Sequence, residues 1–252
     1  MAISTIFSKS KANEMNTIVL VHGAWMDASA WDLVTPVLQK AGYEVIVVNL
    51  PGHGKDNTPA QTLTMQSYVD AVKNAIGSKT NIVLVGHSMG GMVISATAEQ
   101  MPNQIKKVLY VGAFLPANGQ SLLQLAQDAE SLLGPSIVPS ADQLNLDVKH
   151  DNITSIFFAD ATEDIKKSML TNFKVEPAIP FTNALVLTEA NFGAAQKVMI
   201  YTTNDKANSF TNQKLMAKNS SNVINTYEIA SSHSPFFSMP NDLADIIIKE
   251  AK

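Results

Sequence analysis

Residues 81–92, from Asn81 to Met92, read N-I-V-L-V-G-H-S-M-G-G-M. The run Ile82-Val83-Leu84-Val85 is apolar and mostly β-branched, which predicts a buried strand. Gly86-His87-Ser88-Met89-Gly90 follows as a G-x-S-x-G pattern. Met92, Val93, Ile94, Ala96 and Ala98 then suit a helix. Strand, sharp turn and helix in that order give the pattern its meaning. The turn pushes the Ser88 hydroxyl into the open at a helix N-terminus, where developing negative charge is favoured. Gly86 and Gly90 are expected where a Cβ would collide with the neighbouring strand or helix.

The same rhythm extends on both sides. Thr17–Val21 and Tyr43–Val48 read as strands, with a helix over Asp27–Lys40 between them. A second helix is predicted over Thr64–Ile76, and a strand over Lys106–Ala113. After residue 192 come a strand at Lys197–Tyr201, a helix to about Lys218, a strand at Val223–Ile229 and a closing helix from Asn241. Strands that are apolar on both faces and alternate with helices predict an α/β fold, a mostly parallel sheet flanked by helices. Sites on such sheets lie outside the carboxyl ends of the strands. Between residues 115 and 192 the alternation stops, and Leu, Phe, Ser, Asp and Pro dominate. A segment this long is not a plain loop. The expected organisation is a core of 16–114 and 193–252, a helical cap of 115–192 over the strand ends, and a flexible N-terminal extension of 1–15.

Composition narrows the function. The chain has 252 residues, 46% of them hydrophobic and 16% charged, with a net charge of −4 and no cysteine. Disulfides, zinc–thiolate sites and a cysteine nucleophile are excluded. Without a run of Lys or Arg, neither nucleic acid nor an anionic membrane is an expected partner. No apolar run has the length of a membrane span. In the first fifteen residues the lysines follow the short apolar part, so no signal peptide is read and a cytoplasmic location is the expectation.

A serine hydroxyl needs a base to take its proton and a carboxylate to orient that base. His22 and His53 lie in earlier loops, His87 sits beside the serine and cannot reach round to it, and His150 lies in the cap. His233, after the last strand, is the expected base. The acid belongs between serine and histidine in the chain. Gly112–Gln120 holds no Asp or Glu, whereas Asn204-Asp205 ends a strand, so Asp205 is the expected acid. Its other reading is an N-cap of the following helix. An oxyanion needs two backbone N–H donors, assigned to Met89 after the nucleophile and to Ala24 in the loop after the first strand.

These residues resemble those of α/β-hydrolases, and within them the small esterases related to plant methyl-ester esterases and hydroxynitrile lyases. The resemblance rests on Leu20-Val-His-Gly-Ala24 with Trp31, Leu50-Pro-Gly-His-Gly54, Gly86-His-Ser-Met-Gly-Gly91, the Thr203–Asp205 loop and His233. It implies a Ser88–His233–Asp205 triad under a lid, no cofactor, no metal, and a small-molecule ester as substrate. Lyases of this kind carry a lysine after the catalytic histidine and a glutamate before the serine. Here these positions are Ser234 and His87, which favours ester hydrolysis through an acyl-enzyme. The same triad serves lactone, amide and thioester hydrolases and acyltransferases, and a cofactor-free lyase shares the fold. The expected apolar pocket is lined by Trp25, His87, Phe114, Phe157, Phe158 and Phe236.

Overall fold

Six apolar runs become the strands of one sheet. The structure is a computed structural model that describes residues 16–252, so the expected extension of 1–15 lies outside the described residues. In chain order the core begins with β1 (Thr17–Val21), α1 (Thr35–Lys40), β2 (Glu44–Val48), α2 (Met65–Ile76), β3 (Ile82–His87), α3 (Gly90–Gln100) and β4 (Ile105–Val111). The cap contributes α4 (Leu122–Leu125), β5 (Ile137–Pro139), β6 (Asn145–Val148), α5 (His150–Phe157), α6 (Glu163–Asn172), β7 (Glu176–Pro177) and α7 (Ile179–Thr182). The core resumes with β8 (Lys197–Thr202), α8 (Phe210–Lys218), β9 (Val223–Ile229), α9 (Pro235–Ser238) and α10 (Pro240–Ala251).

The sheet order is β2-β1-β3-β4-β8-β9, with every neighbouring pair parallel. The order in which strands are added reverses between β1 and β3, the switch point beside which such sheets build their sites. α1 packs on α10 and α2 on α3, one pair on each face. The strand β3 is buried throughout, and α3 is buried from Gly90 to Ala98. A helix apolar on all sides belongs inside a protein, and α3 lies between the sheet, α2 and the cap.

Two elements differ from the sequence reading. The expected helix over Asp27–Lys40 is split into a 3₁₀ turn at Ala28–Trp31, capped by the Asp27 side chain, and α1. Pro36 sits in the first turn of α1, where its missing N–H is harmless, so it opens a new helix rather than continuing the old one. The cap has the expected short helices, but it also holds an antiparallel sheet in the order β5-β6-β7. Strands of two to four residues are too short to leave a period-two pattern.

Candidate active site

Only Ser88 and Met89 separate β3 from α3. Ser88 has φ +51, a left-handed conformation that costs a non-glycine residue about 1–2 kcal/mol. Its neighbours hold it there. Its carbonyl accepts from the N–H of Gly91 (3.0 Å) and of Phe114 (3.1 Å), and its own N–H donates to Val111 O (3.3 Å). A Cβ on Gly86 would meet the Gly90 carbonyl oxygen at 2.7 Å, and one on Gly90 would meet the carbonyl oxygens of Val21 and His22 at 2.8 Å. Strand, helix and neighbouring strand therefore touch backbone to backbone around the serine.

His233 lies beyond the end of β9 and is buried. Its Nδ1–H donates to Asp205 Oδ2 at 2.7 Å. The same oxygen accepts from Thr202 Oγ1 (2.7 Å) and Gln213 Nε2 (3.2 Å), while Oδ1 accepts the N–H groups of Ala207 (2.8 Å) and Asn208 (2.9 Å). Asp205 does not cap α8, whose N-cap is Ser209. It braces the turn before that helix and stays an acceptor. With Nδ1 as the donor, the Nε2 of a neutral His233 is left as the basic nitrogen.

His87 is placed differently from the sequence reading. It is fully buried behind Ser88, and its Nε2–H donates to the His233 carbonyl at 2.8 Å. Its ring stands 4.5 Å from that of His233 and 4.8 Å from that of Phe236. Burial, and then the neighbouring His233, hold its pKa well below the usual histidine value, so it is a neutral support and not a pocket wall.

A cavity of about 360 Å³ opens over Ser88. Ala24, Trp25, Met89 and Phe114 form its floor with the serine. Leu122, Leu133, Ile137, Leu146 and Phe181 of the cap form much of its roof. Among the described residues no ionisable side chain lines it. On its wall the Ser131 hydroxyl donates to Ala207 O (2.8 Å) and Gln127 Nε2 donates to Leu123 O (3.1 Å). Phe157, Phe158 and Phe236 do not reach it. Phe157 stands behind Trp25 with ring centroids 5.6 Å apart, Phe158 packs on Phe157 and Phe237, and Phe236 is wedged between Trp31 and His87. Aromatic rings near a strand end serve the core or the pocket according to where their Cα–Cβ bonds point, which composition does not reveal.

The loops after β1 and β2 carry two further histidines whose pKa values move in opposite directions. His22 donates from Nδ1 to Gly23 O (2.8 Å) and accepts the Leu50 N–H at Nε2 (3.1 Å), so it is neutral. Burial and the neighbouring His53 bring its pKa down to about 3. His53 donates from Nδ1 to Pro51 O (3.1 Å) and from Nε2 to Glu176 Oε2 (2.8 Å). Burial alone would discharge it, but the charge and hydrogen bond of Glu176 outweigh burial and raise its pKa. Glu176 belongs to β7 of the cap and is wholly buried. The sequence reading missed it, along with Gln213, and set Asp160 aside with Asp164 and Glu189 as cap acids lacking a rigid strand beneath them. The one signal was His53 itself, a buried imidazole in a glycine-flanked loop that needs an acid from elsewhere.

The chain is similar to known proteins over most of its length. A model of the alpha/beta hydrolase family matches residues 18–246. The putative methylesterase 11, chloroplastic, of Arabidopsis thaliana is 29% identical over 95% of the chain and 65% of its own length. Methylesterase 9 of the same plant is 27% identical over 94% of the chain and 98% of its own length. The chain thus spans just under two thirds of the first of these relatives and nearly the whole of the second. The crystallised extracellular alpha/beta-hydrolase from a Paenibacillus species superposes with a TM-score of 0.79 at 25% identity, over 93% of the chain and 98% of that protein.

Proposed function

The chain belongs to the alpha/beta hydrolase family, and from that premise we propose that it hydrolyses small to medium carboxylic esters with an apolar part, through an acyl-enzyme on Ser88. The observation that carries this reading is one shared wall: Ala24, Ser88 and Met89 face a single cavity with no charged side chain among the described lining residues, and the His233–Asp205 pair lies beyond the ends of β9 and β8 on the same edge of the sheet. The names of the relatives as methylesterases support ester chemistry.

Ser88 Oγ attacks the ester carbonyl while His233 Nε2 takes its proton. The tetrahedral oxyanion lies against the N–H groups of Ala24 and Met89, already placed before charge develops. His233 then gives the proton to the departing alcohol. A water molecule, activated by the same nitrogen, hydrolyses the acyl-enzyme. Asp205 keeps Nδ1–H as the donor and stabilises the imidazolium that forms. An uncharged wall suits an apolar acyl or alcohol part. No cationic side chain among the described residues lines the wall to hold a carboxylate, which favours release of the acid product.

Fluorophosphonate labelling with peptide mass spectrometry, beside turnover of p-nitrophenyl butyrate, tests this. The expected result is one adduct on the Ser88 peptide, with turnover lost in Ser88→Ala. Folded protein that takes no label and cleaves no ester overturns the reading.

A further inference from the structure

The cap does more than roof the cavity: two of its carboxylates take hold of the backbone beside the expected reacting groups. Glu176 Oε2 accepts the Trp25 N–H at 2.8 Å, besides the bond from His53, and Oε1 accepts the Tyr68 hydroxyl at 3.3 Å. Trp25 directly follows Ala24 and sits at φ +58. Its indole N–H is tied to the cap as well, through Leu146 O at 2.9 Å. On the other side, Asp160 follows α5 and accepts the Ser232 N–H at 2.8 Å on Oδ2 and the Ser232 hydroxyl on Oδ1. Ser232 directly precedes His233.

We propose that Glu176 and Asp160 are positioning residues through which the cap sets the oxyanion loop and the histidine loop, so that the cap assembles the site it covers. Neither carboxylate lines the cavity, so neither is placed to bind substrate. A cap held only by apolar contact would need no buried acid, and burying one is costly unless it is well paired. Contacts between apolar surfaces also hold without orienting, whereas a hydrogen bond from a backbone N–H to a carboxylate is directional and strong. Each bond fixes the peptide one residue away from a group whose misplacement by about 1 Å costs up to about 100-fold in rate. The left-handed Trp25 needs such a restraint, because a free tryptophan would leave that conformation.

The kinetic part of the test rests on the proposed esterase activity, while the contacts are judged separately by NMR. Asp160 is exposed, so Asp160→Ala is expected to fold. With p-nitrophenyl butyrate its kcat falls about tenfold at unchanged KM, because the base and not the binding wall is disturbed. Fluorophosphonate labelling of Ser88 slows in parallel. Asp160→Asn keeps an oxygen for the Ser232 N–H and restores most of the rate. Glu176→Gln, which loses the charge facing His53, shows the same split between kcat and KM. The low-field proton resonance of the His233 Nδ1–H shifts or broadens in Asp160→Ala and returns in Asp160→Asn.

An Asp160→Ala enzyme with wild-type kcat and an unmoved resonance overturns the inference. So does a loss that falls on KM and is not recovered by asparagine, which marks a merely structural contact. If the wild type neither labels nor cleaves esters, the esterase reading falls, and the resonance alone decides whether the cap positions His233.

Discussion

At the scale of single residues, the candidate site is a set of directed hydrogen bonds. Asp205 has five donors around two oxygens and no acceptor facing it. An asparagine there has to turn its amide nitrogen toward one of those donors. Facing His233, it reverses the imidazole, so that Nε2 carries the proton and no longer serves as base. Asp205→Asn is therefore expected to fold and to lose about 10³–10⁴-fold in kcat. Steady-state kinetics with a chromogenic ester check this, and a loss below tenfold would show that Asp205 does not orient the base. Ser88, His233 and Asp205 could be named as candidates because chemistry restricts such roles to a few residue types at strand ends. Asp160 and Glu176 could not be, because an acid on an irregular cap carries no pattern that says which loop it will meet.

At the scale of elements, the turn between β3 and α3 is held by close backbone approach. A methyl group on Gly90 would press on the carbonyl oxygens of Val21 and His22, which belong to the end of β1 and the loop that carries Ala24. Neither oxygen moves without shifting that strand end. Gly90→Ala is expected to cost about 1–3 kcal/mol, the range for overpacked sites, and to displace the oxyanion loop. Thermal melting measures the first effect and fluorophosphonate labelling the second. A variant that keeps both wild-type values would mean that the turn has more room than its backbone contacts imply. This element could be read from residues 81–92 because its constraints are local. The split of the Asp27–Lys40 segment could also have been read, from Pro36. The cap sheet could not, since its strands are only two to four residues long and β7 joins β6 from about thirty residues further along the chain.

At the scale of the whole molecule, three buried histidines tie stability to pH. His22 and His87 stay neutral when folded, with their pKa values depressed chiefly by burial. The unfolded chain takes up a proton on each as the pH drops below about 6.5. Their contribution is therefore present above that pH and is lost on acidification, at about 1.4 kcal/mol per pH unit for each histidine, until the folded pKa is reached. For His22 that point lies at about 3. His53 acts in the opposite sense. Its pKa is raised through Glu176, so its contribution is complete below about 6.5 and is lost as the pH rises through the raised value. Melting temperature should therefore peak near neutrality and fall by pH 5, where His22 withdraws about 2 kcal/mol and His87 acts in the same direction. Calorimetry across pH 4.5–8 checks this, and a flat profile between pH 7 and 5 would show that these imidazoles are not neutral in the folded state.

The sequence by itself determined the parallel α/β core, the strained serine at its centre, and the residue types offered at the strand ends. Those features follow from hydrophobic periodicity and from backbone sterics, which act between residues close in the chain. Only the tertiary structure decided which of several aromatic rings face the cavity, that His87 supports His233 from behind, and that two acids from a patternless cap grip the loops on either side of Ser88. These depend on side-chain direction and on contacts between segments far apart in the chain, where a charge is free to pair with any loop until packing brings one of them within hydrogen-bonding reach.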